Sequence, residues 1–191
     1  MNLSKSHSII ALGGRRNDER QQEDFYATEP VAVDLLIKAE PTLNHIVWEC
    51  ACGMGHLSER FKEHGFGVRC SDLIARGFEC ETIDFLKYTA TVYIDIVTNP
   101  PFKLAENFIR HGMDILENGR KLCLFLKLTF LESERRTELF KKYPPIRIHV
   151  CKNRIKCAKN GDFSKVESSP TCYAWFVWEK GYSGSTVIDR I

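Results

Sequence analysis

The sequence predicts an α/β fold: a mostly parallel sheet covered by helices on both faces and finished by a C-terminal antiparallel hairpin. Three features lead there. From residue 45 onward, short β-branched and apolar runs alternate with stretches whose apolar positions recur at helical spacing, the order that gives parallel strands joined by helices. Several runs are apolar almost throughout, as strands buried on both faces must be. The last two runs, residues 146–151 and 173–179, have no helical pattern between them and therefore pair antiparallel.

The elements follow in order. Residues 1–23 are polar and charged, include Gly13-Gly14-Arg15-Arg16, and are expected to be flexible. Residues 24–191 form the folded domain. Thr28-Glu29-Pro30 supply a cap and an early helical proline before the helix VAVDLLIKA. Residues 45–50 (HIVWEC) are the first buried strand, 55–64 a helix, and 67–71 (GVRCS) the second strand. A loop or helical turn at 74–78 leads to a short third strand at 80–83, and 93–97 (YIDIV) is the fourth. Leu104, Phe108, Met113 and Leu116 give 103–117 a helical face, closed by Asn118-Gly119. Residues 120–128 (RKLCLFLKL) are the most apolar strand, and 132–142 an amphipathic helix stopped by Pro144-Pro145. With the final pair the sheet has seven strands, and the polar connection at about 152–171 is longer than most.

Composition narrows the function. A chain of 191 residues can bury one full core but has no room for a second large domain. No apolar run approaches the roughly 18 residues of a membrane span, and the N-terminus lacks a signal-peptide pattern, so a cytoplasmic location without membrane contact is expected. The eight cysteines contain no zinc-ribbon pair, and Cys123 sits in the apolar run LCLFL, so reduced core thiols are expected and no metal site. Net charge is only +2, yet Lys141, Lys142, Arg147, Lys152, Arg154, Lys156, Lys159 and Lys165 gather in one stretch, either a solvated face or a phosphate-binding one.

Chemistry-bearing residues stand at successive strand ends. Glu49-Cys50-Ala51-Cys52-Gly53-Met54-Gly55 ends the first strand and opens a helix; its glycines let backbone approach a ligand, though a structural turn is nearly as good an account. Asp72 follows the second strand, about 20 residues past that turn, where an acid can accept from ribose hydroxyls or cap a turn. Asp84-Phe85 ends the third strand. Asn99-Pro100-Pro101-Phe102 ends the fourth and is the most telling. Two prolines fix φ and remove two amide donors, leaving rigid carbonyls. The Asn99 and Pro100 carbonyl oxygens can grip an exocyclic NH2 group, and Phe102 offers a face for a flat ring.

The ordered set ExxxGxG, Asp72, Asp84-Phe85 and NPPF resembles the class I S-adenosylmethionine-dependent methyltransferases, over about residues 24–179. Asp24-Phe25-Tyr26-Ala27-Thr28-Glu29-Pro30 is similar to the FxTP-type segment of amino-methylating DNA methyltransferases, and the compact phage and prophage DNA adenine enzymes are the nearest kind. The resemblance implies a Rossmann-like fold, S-adenosylmethionine as cofactor and DNA as partner, with RNA as the alternative. It implies that Glu49, Ala51, Cys52, Gly53, Gly55 and Leu73 line the methionine and ribose part and that Asp72 holds the ribose hydroxyls. Asp84 and Phe85 would meet the cofactor adenine, and Phe25, Tyr26 and Thr28 would close over the methionine end. Asn99, Pro100, Pro101 and Phe102 would hold the target amine.

One departure bears on recognition. No sizeable region for reading DNA sequence is present; Lys152, Arg154, Lys156 and Lys159 suit phosphate contacts, which position without specifying bases. Loose specificity in a monomer or shared recognition in a homodimer would follow. Rival activities are methylation of an RNA base amine, methylation of a protein glutamine amide, which would call for Tyr at position 102, and catalytically silent nucleic-acid binding.

Overall fold

The computed structural model describes residues 26–166 and 170–191; Phe25 and the segment 1–23 lie outside them. In chain order the elements are β1 (Tyr26–Thr28), α1 (Val31–Ala39), β2 (Ile46–Glu49), α2 (His56–Glu63), β3 (Gly67–Asp72), β4 (Glu81–Thr82) and β5 (Asp95–Thr98). Then come α3 (Ala105–Ile115), β6 (Lys121–Lys127), α4 (Thr137–Lys142), β7 (Arg147–Val150), β8 (Cys157–Lys159), β9 (Tyr173–Glu179) and β10 (Val187–Arg190). The main sheet has the order β10-β7-β9-β6-β5-β2-β3-β4, with β9 antiparallel to both neighbours and every other pair parallel.

Successive residues of the central strands point to opposite faces, and each face finds helices. Val47, Val97, Cys123, Phe125, Trp175 and Val177 pack against Ala32, Val33 and Leu36 of α1 and Leu57 and Phe61 of α2. Trp48, Ile96, Leu122, Leu124, Phe176 and Trp178 pack against Phe108, Ile109 and Met113 of α3 and Leu139 of α4. Burying a side chain of the size of Phe61 or Ile109 contributes about 1.5–3 kcal/mol, so this double burial, not helix propensity, holds the short helices. The polar ends of the buried indoles find partners: Trp48 Nε1 donates to Ser71 Oγ at 2.9 Å and Trp175 Nε1 to the Ala32 carbonyl at 2.7 Å.

The expected α/β class and antiparallel final pair are present, with differences of detail. The main sheet has eight strands among the described residues, not seven, because the exposed run Val187–Arg190 adds itself to β7. The final strand of the expected pair is inserted between β6 and β7. Residues 132–142 do not form one helix: Ser133 has φ 93, which interrupts the helical path, a 3-10 turn follows at Glu134–Arg136, and α4 starts at Thr137. Thr28 does not cap α1; the N-cap residue is Pro30, with no side-chain cap bond. Thr28 instead belongs to β1, which pairs antiparallel with β8 from the basic connection in a separate two-stranded sheet.

Candidate active site

The strand order reverses between β2, which pairs with β3, and β5, which leads on to β6; ligands of open α/β sheets bind at such a point, beyond the carboxyl ends of the strands. A cavity of about 500 Å³ lies there. The ends of β2, β3 and β5 and the segments that follow supply Glu49, Ala51, Cys52, Asp72, Leu73, Asp84, Phe85, Asn99, Pro100, Pro101 and Phe102, and β1 closes it with Tyr26 and Thr28. Every residue that the sequence placed around cofactor and target amine thus lines one cavity, except Gly53, Gly55 and the undescribed Phe25.

The two glycines shape the wall. Gly53 and Gly55 take left-handed φ of 57 and 80, and a Cβ on Gly55 would sit 2.4 Å from the Phe78 ring. Gly53 N–H donates to Asp72 Oδ2 at 2.7 Å and Ile74 N–H to Asp72 Oδ1 at 2.9 Å, so Asp72 ties the glycine turn to the end of β3. Each carboxylate oxygen still has a lone pair for a ligand hydroxyl. Asp84 both lines the cavity and caps a 3-10 turn, accepting from Leu86 N–H at 3.1 Å. Phe85 has its ring in the core, 5.6 Å from Trp48 and 4.8 Å from Phe108.

Glu49 is almost fully buried, and its carboxylate accepts from the Ser58 hydroxyl. Burial pushes its carboxyl up to about 8, and the nearby Asp72 charge adds to the shift. The cavity therefore holds a neutral carboxylic acid near pH 7, ready to ionise beside a cation.

The Asn99-Pro100-Pro101-Phe102 turn is ordered by its own sequence and by β1. Pro101 O accepts from Leu104 N–H at 2.8 Å, closing the turn. Asn99 Nδ2 donates to Thr28 Oγ1 at 2.8 Å and to the Tyr26 carbonyl at 3.3 Å. The carbonyl can only accept, which fixes the amide with nitrogen toward β1. Among the described residues, Asn99 Oδ1 is left buried without a hydrogen-bond partner. A partnerless buried acceptor costs about 1–3 kcal/mol, so a donor from a ligand is the natural means of satisfying it.

Phe102 is half-buried between aromatic neighbours, 6.4 Å from Tyr26 and stacked at 6.2 Å on Tyr173, with Lys127 Nζ 4.6 Å from its centroid. Lys127 and Tyr173 were missed in the sequence because both stand inside apolar strand patterns, paired across β6 and β9. His56, Ile74, Ile83 and Leu86 also line the cavity. Lys152, Arg154, Lys156 and Lys159 do not. Lys156 stands just before β8, its backbone N–H reaching Glu29 Oε2 at 3.1 Å, and Arg154 is exposed, donating to the Pro170 carbonyl at 3.2 Å and to Cys172 Sγ at 2.6 Å. Lys152 and Lys159 are exposed. Among the described residues, no group of three or more His, Cys, Asp or Glu stands where it could share a metal ion, and no helix is long and apolar enough to cross a membrane.

No known family profile matches the chain, and no curated protein matches it in sequence. Solved structures do. One from Listeria monocytogenes, assigned provisionally to the class I S-adenosylmethionine-dependent methyltransferases, shares 14% identity at a TM-score of 0.58, over 84% of this chain and 63% of that one. Magnesium protoporphyrin IX methyltransferase from Synechocystis, with S-adenosylmethionine bound, shares 12% identity at a TM-score of 0.53, over 94% and 87%. The methyltransferase subunit of a type I restriction-modification system from Streptococcus thermophilus shares 13% identity at a TM-score of 0.57, over 87% and 47%. The chain spans less than two thirds of the length of the first and third of these. It has the Rossmann-like fold of class I methyltransferases, an α/β architecture with a mostly parallel sheet.

Proposed function

We propose that the protein is an S-adenosylmethionine-dependent N-methyltransferase acting on the N6 amine of adenine in DNA. One observation carries this reading: the buried Asn99 Oδ1, oriented by its own amide nitrogen and lacking a donor. It stands on an Asn-Pro-Pro-Phe turn in a cavity whose other wall carries the acids suited to a nucleoside and an amino-acid group. The residues fit the cofactor: Asp72 would accept from ribose hydroxyls, Asp84 and Phe85 would flank its adenine, and Glu49 with Ala51 and Cys52 would meet the methionine end. Bound there, the cofactor supplies an electrophilic methyl group on a sulfonium.

The chain's own residues do the rest. An amine conjugated to an aromatic ring is a weak nucleophile because its lone pair is delocalised. Accepting hydrogen bonds from its two N–H groups at Asn99 Oδ1 and the Pro100 carbonyl favours a pyramidal nitrogen and frees the lone pair; once the C–S bond breaks and the C–N bond forms, the methylated nitrogen sheds one proton to solvent. Rate enhancement comes from positioning and from acceptors already in place, with no covalent bond to the protein. A base in a duplex must leave the stack to reach these oxygens, and Phe102 then gives it an aromatic face. Lys152 and Lys159, both exposed and the second in β8 itself, suit phosphate contacts that hold the strand without reading it. The shared fold serves porphyrin and nucleic-acid methylation alike, so the turn and not the fold supports the choice of substrate.

The test is methyl transfer from labelled S-adenosylmethionine to unmethylated DNA, total RNA and protein in parallel, with nucleoside digestion of the product. N6-methyladenine from DNA is the expected result. Label confined to RNA or protein would discard DNA, and no label in any of them would leave a silent binding module.

A further inference from the structure

The Asn99 amide can grip an amine only in one of its two orientations. Rotated by half a turn about its last bond it would present NH2 to NH2, donor against donor, and the intrinsic barrier to that rotation is low. Something must hold it. Resting on the reading of Asn99 Oδ1 as the acceptor for the target amine, we propose that Thr28 is a positioning residue whose hydroxyl, held in place by the β1–β8 pair, keeps the Asn99 oxygen facing the substrate.

Two contacts select the orientation, and they are unequal. The Tyr26 carbonyl receives Nδ2 at a long 3.3 Å, whereas Thr28 Oγ1 receives it at 2.8 Å. Thr28 is 2% exposed, so this bond is shielded from competing water. A hydroxyl can donate as well as accept, and by itself it would tolerate either orientation of the amide. The Tyr26 carbonyl removes that freedom: it can only accept, so it takes Nδ2 and leaves the Thr28 hydroxyl to offer the same nitrogen a lone pair. Thr28 is held opposite Cys157 of β8. Thr28 and Asn99 are 71 residues apart. The segment before the α/β domain and the strand in the basic connection therefore act together on the amide, a role distinct from closing over the cofactor.

The experiment compares wild type with Thr28→Val, which keeps the shape and loses the hydroxyl, and Thr28→Ser, which restores it. Methyl transfer at saturating cofactor and substrate should fall about tenfold in Thr28→Val, the loss of one neutral hydrogen bond at the reacting geometry, and recover in Thr28→Ser. Cofactor affinity, read by equilibrium dialysis, should stay within about twofold by the same attribution. Hydrogen exchange of the Asn99 side-chain amide, assigned by its disappearance from the spectrum of Asn99→Ala, should quicken about tenfold in Thr28→Val. If Thr28→Val does not fold, Thr28→Ala takes its place and should shift both readouts in the same direction. Unchanged turnover and exchange would overturn the proposal, as would a loss of cofactor affinity with turnover intact, which would make Thr28 a cofactor contact. If wild type methylates nothing, the proposed function falls, and the exchange comparison still decides whether Thr28 holds the amide.

Discussion

At the scale of single residues, Asn99 and Glu49 stand in the candidate site in opposite ways. Asn99 is a neutral acceptor left unsatisfied, so Asn99→Ala should cut transfer by about 10²–10³-fold, the usual cost of losing one group aimed at the reacting atoms, with cofactor affinity unchanged. Equal losses of transfer and cofactor affinity would contradict that division of roles. Glu49 is a carboxyl that burial keeps protonated up to about 8, above its ordinary 4.5. Its folded form prefers the proton, so the stability it contributes is present below about pH 4.5 and declines as pH rises through 8. Denaturant unfolding at pH 5, 7 and 9 should show that decline, and Glu49→Gln should flatten it. His149, also raised, tilts the curve the same way above its ordinary 6.5, so the wild-type-minus-variant difference is the quantity to read. A cation bound beside Glu49 draws the proton off, so affinity for S-adenosylmethionine should rise with pH toward 8 in wild type and lose that rise in Glu49→Gln. The place of Asn99 in the cavity was legible in the sequence because a Pro-Pro turn flanked by Asn and Phe has few purely structural uses at a strand end. Lys127 and Tyr173 were not, since a long side chain at the end of an apolar run looks like a strand finishing.

At the scale of elements, the turn between β2 and α2 was legible as a glycine turn but not in its purpose. Its glycines were read either as making room for a ligand or as a structural turn, and the structure shows what they do for the protein: Gly55 lies against Phe78, and Gly53 offers its N–H to Asp72. Gly65 makes the discriminating comparison, because it has the same φ of 80 and a Cβ there would meet nothing within 4 Å. Gly65→Ala should lose only the backbone preference, about 1 kcal/mol, while Gly55→Ala should lose that and a further 1–3 kcal/mol of overpacking, about 2–4 kcal/mol in urea unfolding. Equal losses would mean that Phe78 moves aside freely. The strands β1, β8 and β10 escaped the sequence for a common reason. Three or four residues carry no periodicity, Thr28 meets its partner Cys157 only through tertiary structure, and β10 is exposed along its whole length. The long buried strands β6 and β9 were legible nearly residue for residue, because burial on both faces writes itself into composition.

At the scale of the whole molecule, the site at the carboxyl ends of the strands is matched by a charged cluster at the other end that no motif announced. Glu40, at the end of α1 and 1% exposed, receives Lys121 Nζ at 2.6 Å from the start of β6, Arg147 Nη2 at 2.7 Å from the start of β7 and His149 Nε2 at 2.8 Å. His149 reaches on through Nδ1 to Asp189 of β10 at 2.5 Å, so one carboxylate gathers a helix and three strands. Burial alone would raise the Glu40 carboxyl, but the hydrogen bonds from His149, Arg147 and Lys121 outweigh it and hold it well below the usual carboxylate range. Burial likewise opposes the charge on His149, and its bonds to Glu40 and Asp189 overcome it. Replacing such a cluster with apolar residues can be neutral, whereas removing one member strands a buried charge at about 3–5 kcal/mol. Glu40→Gln leaves Lys121, 4% exposed, without its carboxylate and should destabilise the fold by about that amount in urea unfolding. Glu40→Gln combined with Lys121→Met should recover part of the loss, because the stranded ammonium is gone. Affinity for S-adenosylmethionine, measured on folded protein, should be the same in wild type and both variants, since neither position lines the cavity. A change in affinity of about tenfold or more, roughly 1.4 kcal/mol, would mean that the cluster sets the geometry of the strand ends through the length of β6, and that the two ends of the sheet are one cooperative unit.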